Sequence, residues 1–384
     1  MEGRKGNIQI LFPVFVILIA FLITFYFYNL YQGQKVGIDS LISMEKTSNQ
    51  SSSEISKSKN TAQANQKKIR LAVILANFPD KKEQPKTPGE INNIVFGEGQ
   101  SVKKYFLENS YDLIDIEGDV FGWFTISKQL TSCDDYQWGN DALNEARLKG
   151  IDIDSYDFRI VAVPDYSTKC PAWERAYLTE KLVVINIEAL SPLREIAHEL
   201  GHLMGAQHAH LVRCPMVIER YDNCQIENTQ DPFDAMGYTN YVSHFSAANK
   251  VGLGWIGQAS IIEVKQSGTY TIKPLEYKDE PLILKIPKLD TKQNYLISYR
   301  QRIGYDSDIP FWENLDGVSI QIFERIGENS FLEPLLIDAN PDINFAGDIN
   351  MNDNQTITDV ANGISIKQIS HNERSATVEV NFLQ

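Results

Sequence analysis

Residues 198 to 208 read His-Glu-Leu-Gly-His-Leu-Met-Gly-Ala-Gln-His (HELGHLMGAQH), and their spacing organises the reading of the whole chain. On a helix, His198 and His202 lie one turn apart, so both imidazoles leave the same face and can share an ion. Glu199 sits one position round, where its carboxylate reaches a water on that ion rather than the ion itself. Gly205 accepts a left-handed conformation without Cβ strain, which ends the helix and turns the chain sharply. The reversal returns His208 as a third nitrogen donor. Three protein ligands leave one position of a tetrahedral Zn²⁺ open, as catalysis requires. His210 is a rival for the third place, although the spacing from Gly205 favours His208.

The composition agrees that a site lies here. Five of the six histidines, His198, His202, His208, His210 and His244, fall between residues 198 and 244 of a 384-residue chain. That length suggests two folded domains or one large one. The 43% hydrophobic and 22% charged fractions exclude wholesale disorder and fibrous repeats. A net charge of -14 argues against a nucleic-acid partner. The charge is uneven: residues 1 to 68 carry +4, so the rest holds 28 Lys/Arg against 46 Asp/Glu, a net of -18.

Between Lys5 and Lys35 the chain has no charged residue, and residues 10 to 28 are almost unbroken apolar sequence. Such a run is long enough to cross a bilayer of about 30 Å. Arg4 and Lys5 before it place the amino terminus in the cytoplasm. The expectation is a retained membrane anchor over residues 1–31 with the remainder outside the cell. The alternative is secretion after cleavage of a signal peptide, against which the bulky exit Tyr26-Phe-Tyr stands. Residues 32–68 follow as a serine-rich flexible linker.

From Ile69 the pattern alternates between strand and helix. IRLAVILANF opens as a strand, Ser101 caps a helix through Glu108, and LIDIEG and DVFGWFTI read as two strands meeting at Gly118-Asp119. A helix runs from Trp138 to Lys149 and stops at Gly150, and FRIVAVP and KLVVINIEA are buried-strand candidates. Ser191-Pro192 then gives an N-cap and first-turn proline for the helix carrying His198. An α/β (α+β) domain over 69–258 is expected. After it come TYTIKPL, LILKIPK, YLISYRQ, GVSIQIFE, GISIKQI and ATVEVNF, short segments that predict an antiparallel β-sandwich over 259–384.

HExxHxxGxxH followed by a methionine 28 residues later, in DPFDAMGY, resembles the metzincin metallopeptidases. Three stretches are similar to the gametolysin-like family in particular: residues 101–126 (SVKKYFLENSYDLIDIEGDVFGWFTI), 198–210 (HELGHLMGAQHAH) and 245–256 (FSAANKVGLGWI). The likeness spans about 69 to 258, and less specifically the β-rich tail. It implies a metzincin-like catalytic fold, one catalytic zinc on His198, His202 and His208, and Glu199 as general base. It also implies that Met236 forms an apolar floor beneath the histidines, and that Tyr238 stabilises the tetrahedral intermediate. The departures are the additional His210 and an anchor where a proregion would stand.

Cys133, Cys170, Cys214 and Cys224 form an even set suited to an oxidising exterior, with no CxxC pair for a second zinc. Three pairings are open. Cys214–Cys224 is favoured because it closes a short loop between the third ligand and Met236, with Cys133–Cys170 pairing by default. Asp348, Asn350, Asn352 and Asp359 have the spacing of a Ca²⁺ loop, although Asp353 stands where its glycine belongs. The leading expectation is a membrane-anchored extracellular zinc endopeptidase acting on polypeptides. The alternative is a surface adhesion or binding protein that keeps the same domain as a scaffold. Glu199 separates the two, since a scaffold has no use for it.

Overall fold

The strand β1 (Lys67–Asn77) is buried on both faces, so it must lie at the centre of a layered domain. In the computed structural model it does. The structure describes residues 66–383 apart from 171–174, 189–191, 219–222, 279, 290, 328–329 and 342–347. Parallel neighbours β2 (Ile114–Thr125) and β3 (Phe158–Val163) flank β1, followed by β5 (Leu182–Asn186) and the antiparallel edge strand β4 (Arg175–Tyr177). Alternation along β1 sorts its side chains to two layers. Ile69, Leu71, Val73 and Leu75 pack with α1 (Pro88–Phe96), α2 (Val102–Asn109) and α4 (Pro192–Met204). Ala72, Ile74 and Ala76 face α3 (Asp135–Leu148) and its buried Trp138.

Local signals explain most of these elements. Ser101 caps α2 by accepting from the Lys104 N–H at 3.2 Å, and Asp134 caps α3, which begins at Asp135, three residues before the expected start. The strands expected on either side of Gly118 are instead one strand, β2. Gly118 is no turn: a Cβ there would meet the Leu71 carbonyl oxygen at 1.8 Å, so the glycine permits close pairing with β1.

The sandwich is not an antiparallel unit appended after the first domain. One sheet runs β8 (Gln225–Glu227), β6 (His210–Arg213), β16 (Leu335–Asp338), β13 (Val318–Phe323), β12 (Asn294–Tyr299), β11 (Ile283–Pro287) and β9 (Ile261–Glu263). The other runs β10 (Gly268–Ile272), β19 (Ser375–Phe382), β18 (Ile364–Asn372), β17 (Thr356–Asp359) and β7 (Val217–Ile218). A small hairpin, β14 (Arg325–Gly327) with β15 (Ser330–Phe331), completes the set of described strands. The pairs β6–β16, β7–β17 and β9–β11 are parallel. Strands that directly follow the HELGH helix are therefore built into the C-terminal sheets, and Val212, Cys214 and Ile218 share one core with Ile297, Ile320 and Val378. The fold is mixed α/β with many strands and few helices. It also has a short helix, α5 (Ala247–Gly252), between the two halves of the sequence.

The expected membrane-spanning helix is corrected as well. Among the described residues no helix is long and apolar enough to cross a membrane, and residues 10 to 28 lie outside them. Both disulfides form as expected, Cys133–Cys170 and Cys214–Cys224, the second fastening the loop between β6 and β8.

Because β6 and β7 have strand partners in the C-terminal half, and β8 pairs only with β6, a fragment ending at residue 258 is expected not to fold. Differential scanning calorimetry should give one cooperative transition for 66–384 and none for 66–258. A sharp native-like transition in the fragment would show that the halves fold independently.

Candidate metal centre

Helix α4 buries Ile196, Ala197 and Leu200 against the first core and turns His198, Glu199 and His202 toward an open cleft. Gly201 allows the helix to sit low. A Cβ there would lie 2.8 Å from Met236 Sδ and 2.9 Å from the Phe245 ring, so these two fully buried side chains press directly on the helix backbone. The helix ends as the spacing requires. Gly205 has φ +106°, the Ala206 N–H returns to the Gly201 carbonyl at 2.9 Å, and the chain reverses.

His198, His202 and His208 converge, each offering a ring nitrogen within 4.8 Å of the others. His202 Nε2 and His208 Nε2 are 3.1 Å apart. Two imidazole nitrogens on one tetrahedral zinc stand roughly 3.3 Å apart, so the donor set suits that ion. The other ring nitrogens are occupied: His198 Nδ1 donates to the Ala235 carbonyl at 2.8 Å and His202 Nδ1 to the Ala206 carbonyl at 3.2 Å. Those bonds select the tautomer that leaves Nε2 free for a metal. Burial holds His198 down to about 3 and His202 down to about 4, and pushes His208 below its usual range. All three rings are therefore neutral near pH 7, the form a metal binds.

His210 is placed elsewhere. Its Nδ1 accepts from the Thr229 N–H at 2.7 Å and its Nε2 meets Glu333 Oε2 at 2.9 Å. With both nitrogens engaged, His210 anchors the start of β6. Glu333 Oε1 also lies 3.9 Å from His208 Nδ1, so one carboxylate from the C-terminal half sits behind both rings. Glu199 is buried in the cleft wall beside the histidines.

The turn carrying Met236 is held from beneath. Asp234 accepts from the Met236 N–H at 2.8 Å and from Asn249 Nδ2 at 2.8 Å, and burial pushes its carboxyl above the usual range. Asn249 of α5 also bonds both to the N–H of Gln207 and to its carbonyl, tying the Gly205–His208 segment to the same turn. Sequence reading missed Asp234, Asn249 and Glu333. The first two lie inside motif-bearing stretches. Glu333 had no local signal at all, being 125 residues from His208.

Tyr238 is 56% exposed and lines the cleft with Arg175 and Ala176 of β4 and Arg194 and Glu195 of α4. The volume of the cleft is about 690 Å³. The suggested Ca²⁺ residues take part in hydrogen bonds within the C-terminal half. Asp359 lies in β17 and accepts from Tyr295, Asn350 accepts from Ser319, Asp348 accepts from Asn314, and Asn352 contributes its N–H to Gln355. His244, Glu276 and Asp306 also converge, but Arg300 and Lys250 already supply the positive charge there.

No protein-family model matches the chain, and comparison with curated proteins finds no match either. The resemblance to metzincins rests on the residues themselves.

Replacing Gly201 by alanine raises intrinsic helix propensity by about 1 kcal/mol. Here it is nevertheless expected to destabilise by about 1–3 kcal/mol, because Met236 and Phe245 must move. Thermal unfolding of Gly201→Ala beside the parent protein checks the sign.

Proposed function

We propose that the chain is an exported zinc-dependent endopeptidase. The observation that carries this reading is the convergence of three imidazoles, with Nε2 of His198 and His202 left free and Glu199 beside them, on the wall of an open cleft. The two disulfides favour an oxidising compartment.

Held by His198, His202 and His208, Zn²⁺ would supply a Lewis acid that polarises the scissile carbonyl and acidifies a water. The protein's own groups do the remaining work. Glu199 takes the proton of the attacking water and passes it to the leaving amine. Its burial keeps competing water from the carboxylate. Tyr238, exposed on the cleft wall, would donate a hydrogen bond from its hydroxyl to the oxygen on which negative charge develops. Edge strand β4 presents Arg175 and Ala176 to the same cleft, so an extended polypeptide can add its backbone there.

The purified protein is expected to carry one zinc per chain by elemental analysis and to degrade a denatured protein until a chelator is added. Glu199→Ala should retain the zinc while turnover falls roughly a thousandfold or more. Full activity in that variant would reject the mechanism, and an inactive parent protein with bound zinc would favour the scaffold alternative. By the same metal measurement, His208→Ala should lose zinc and His210→Ala should keep it. Tyr238→Phe should lower kcat roughly 100-fold with little change in KM.

A further inference from the structure

Each of the three converging imidazoles has two nitrogens, and the partner of the outer one decides which tautomer the ring takes. In His198 and His202 the outer nitrogen is Nδ1, and the carbonyls of Ala235 and Ala206 hold a proton on it. Among the described residues no carbonyl does this for His208. Its Nδ1 faces Glu333 Oε1 instead, at 3.9 Å. We propose that Glu333, from the C-terminal half, is the positioning residue of the third ligand: its carboxylate keeps the ring proton of His208 on Nδ1 and so leaves Nε2 for the metal. The proposal rests on the metal-binding reading of the three histidines, not on peptide cleavage.

The competing tautomer has a partner close at hand. His208 Nε2 lies 3.1 Å from His202 Nε2, which is bare because the His202 proton is on Nδ1. A proton on His208 Nε2 would bond the two rings to each other, and neither Nε2 would be open to an ion. A carboxylate behind His208 opposes this. It only accepts, so it attracts an N–H and repels the lone pair that the competing tautomer turns toward it. Burial is the largest influence on the basicity of His208 and lowers it; of the charges around the ring, that of Glu333 acts most strongly and raises it.

Glu333 is itself aimed. His210 Nδ1 accepts from the Thr229 N–H at 2.7 Å, so the His210 proton sits on Nε2 and is donated to Glu333 Oε2 at 2.9 Å. The backbone on either side is pinned, the His210 N–H meeting the Pro334 carbonyl at 2.9 Å and the Leu332 N–H the Glu324 carbonyl at 2.9 Å. With Oε2 engaged, Oε1 is the oxygen turned to His208. Only a carboxylate can serve both rings, because glutamine has one acceptor oxygen and its amide group would face an N–H. The Glu333 side chain is 50% exposed, so water screens its charge. Its effect is therefore expected near the lower end of the roughly ten- to hundredfold range of groups that orient metal ligands.

Two measurements on the full chain test this. Zinc affinity is read by competition with a chromophoric chelator. Glu333→Gln should weaken zinc roughly tenfold. His210→Ala, which keeps all three ligands but releases Glu333, should weaken it less and still take one ion per chain at saturation. With metal removed, long-range proton–nitrogen NMR of histidine-labelled protein should show the Nδ1–H tautomer of His208 losing population in Glu333→Gln, with His198 and His202 unchanged. Unaltered zinc affinity in Glu333→Gln would overturn the proposal. So would weaker affinity with an unaltered His208 tautomer, which would make Glu333 a merely structural residue. Glu333-dependent zinc binding by a chain that cleaves nothing would keep the positioning role and reject the endopeptidase. A chain that cleaves while Glu333→Gln binds zinc as tightly as the parent would lose the positioning role alone.

Discussion

The chain leaves α4 through the left-handed Gly205 and is captured at His210 by parallel pairing with β16. Only five residues separate the end of α4 from β6, the second strand of a sheet made chiefly of C-terminal strands. His208 lies inside that span. Its place beside His198 and His202 is fixed at one end by the helix stop and at the other by the hydrogen bond from the His210 N–H to the Pro334 carbonyl at 2.9 Å. The convergence of the three histidines consequently depends on strands more than 120 residues away. A metal site tolerates little positional slack, and two rigid attachments this close supply the rigidity that a free loop would lack.

Buried polar groups carry the same coupling deeper. Arg300 of the C-terminal half grips Asp306 through two nitrogens and also donates to the Phe233 carbonyl, just ahead of the Met236 turn. Asp306 in turn accepts from the His244 N–H at 2.7 Å, and His244 Nε2 meets Glu108 of α2 at 2.7 Å. Against the burial that would raise it, Arg300 holds the Asp306 carboxyl well below the usual range, whereas burial brings Lys250 down to about 8. Such a network is strongly destabilising to break by removing one partner, so it locks the arrangement of α2, the Met236 turn and β12 into one state. The cluster of histidines in the sequence thus has two origins. Three converge where a metal ion could be held, while His210 and His244 serve the frame around them.

Much of the layered half was legible because its signals are local. The doubly buried run at 69–78, the Ser101 cap and the stop at Gly150 each state their structure within a few residues. The errors came where a residue answered to a distant neighbour. Gly118 looked like a turn because glycine usually makes one, yet it serves the approach of β2 to Leu71. The short segments around residues 210 and 217 offer too few residues to declare a strand, and their pairing partners follow more than 100 residues later. Glu333 was equally silent, since nothing in sequence distinguishes a carboxylate held behind two imidazoles from one in solvent.

The sequence by itself determined the donor set: the helical period fixes His198, Glu199 and His202 on one face, and a single glycine suffices to turn the chain toward His208. Those are constraints over fewer than a dozen residues, and backbone geometry enforces them without help. Only the tertiary structure decided that His208 rather than His210 turns to the centre, because that choice is made by Thr229, Glu333 and the β6–β16 pairing. It alone also decided that the expected C-terminal domain is structurally continuous with the half that carries the three histidines, since parallel pairing joins strands with no restriction on how far apart they lie in the chain.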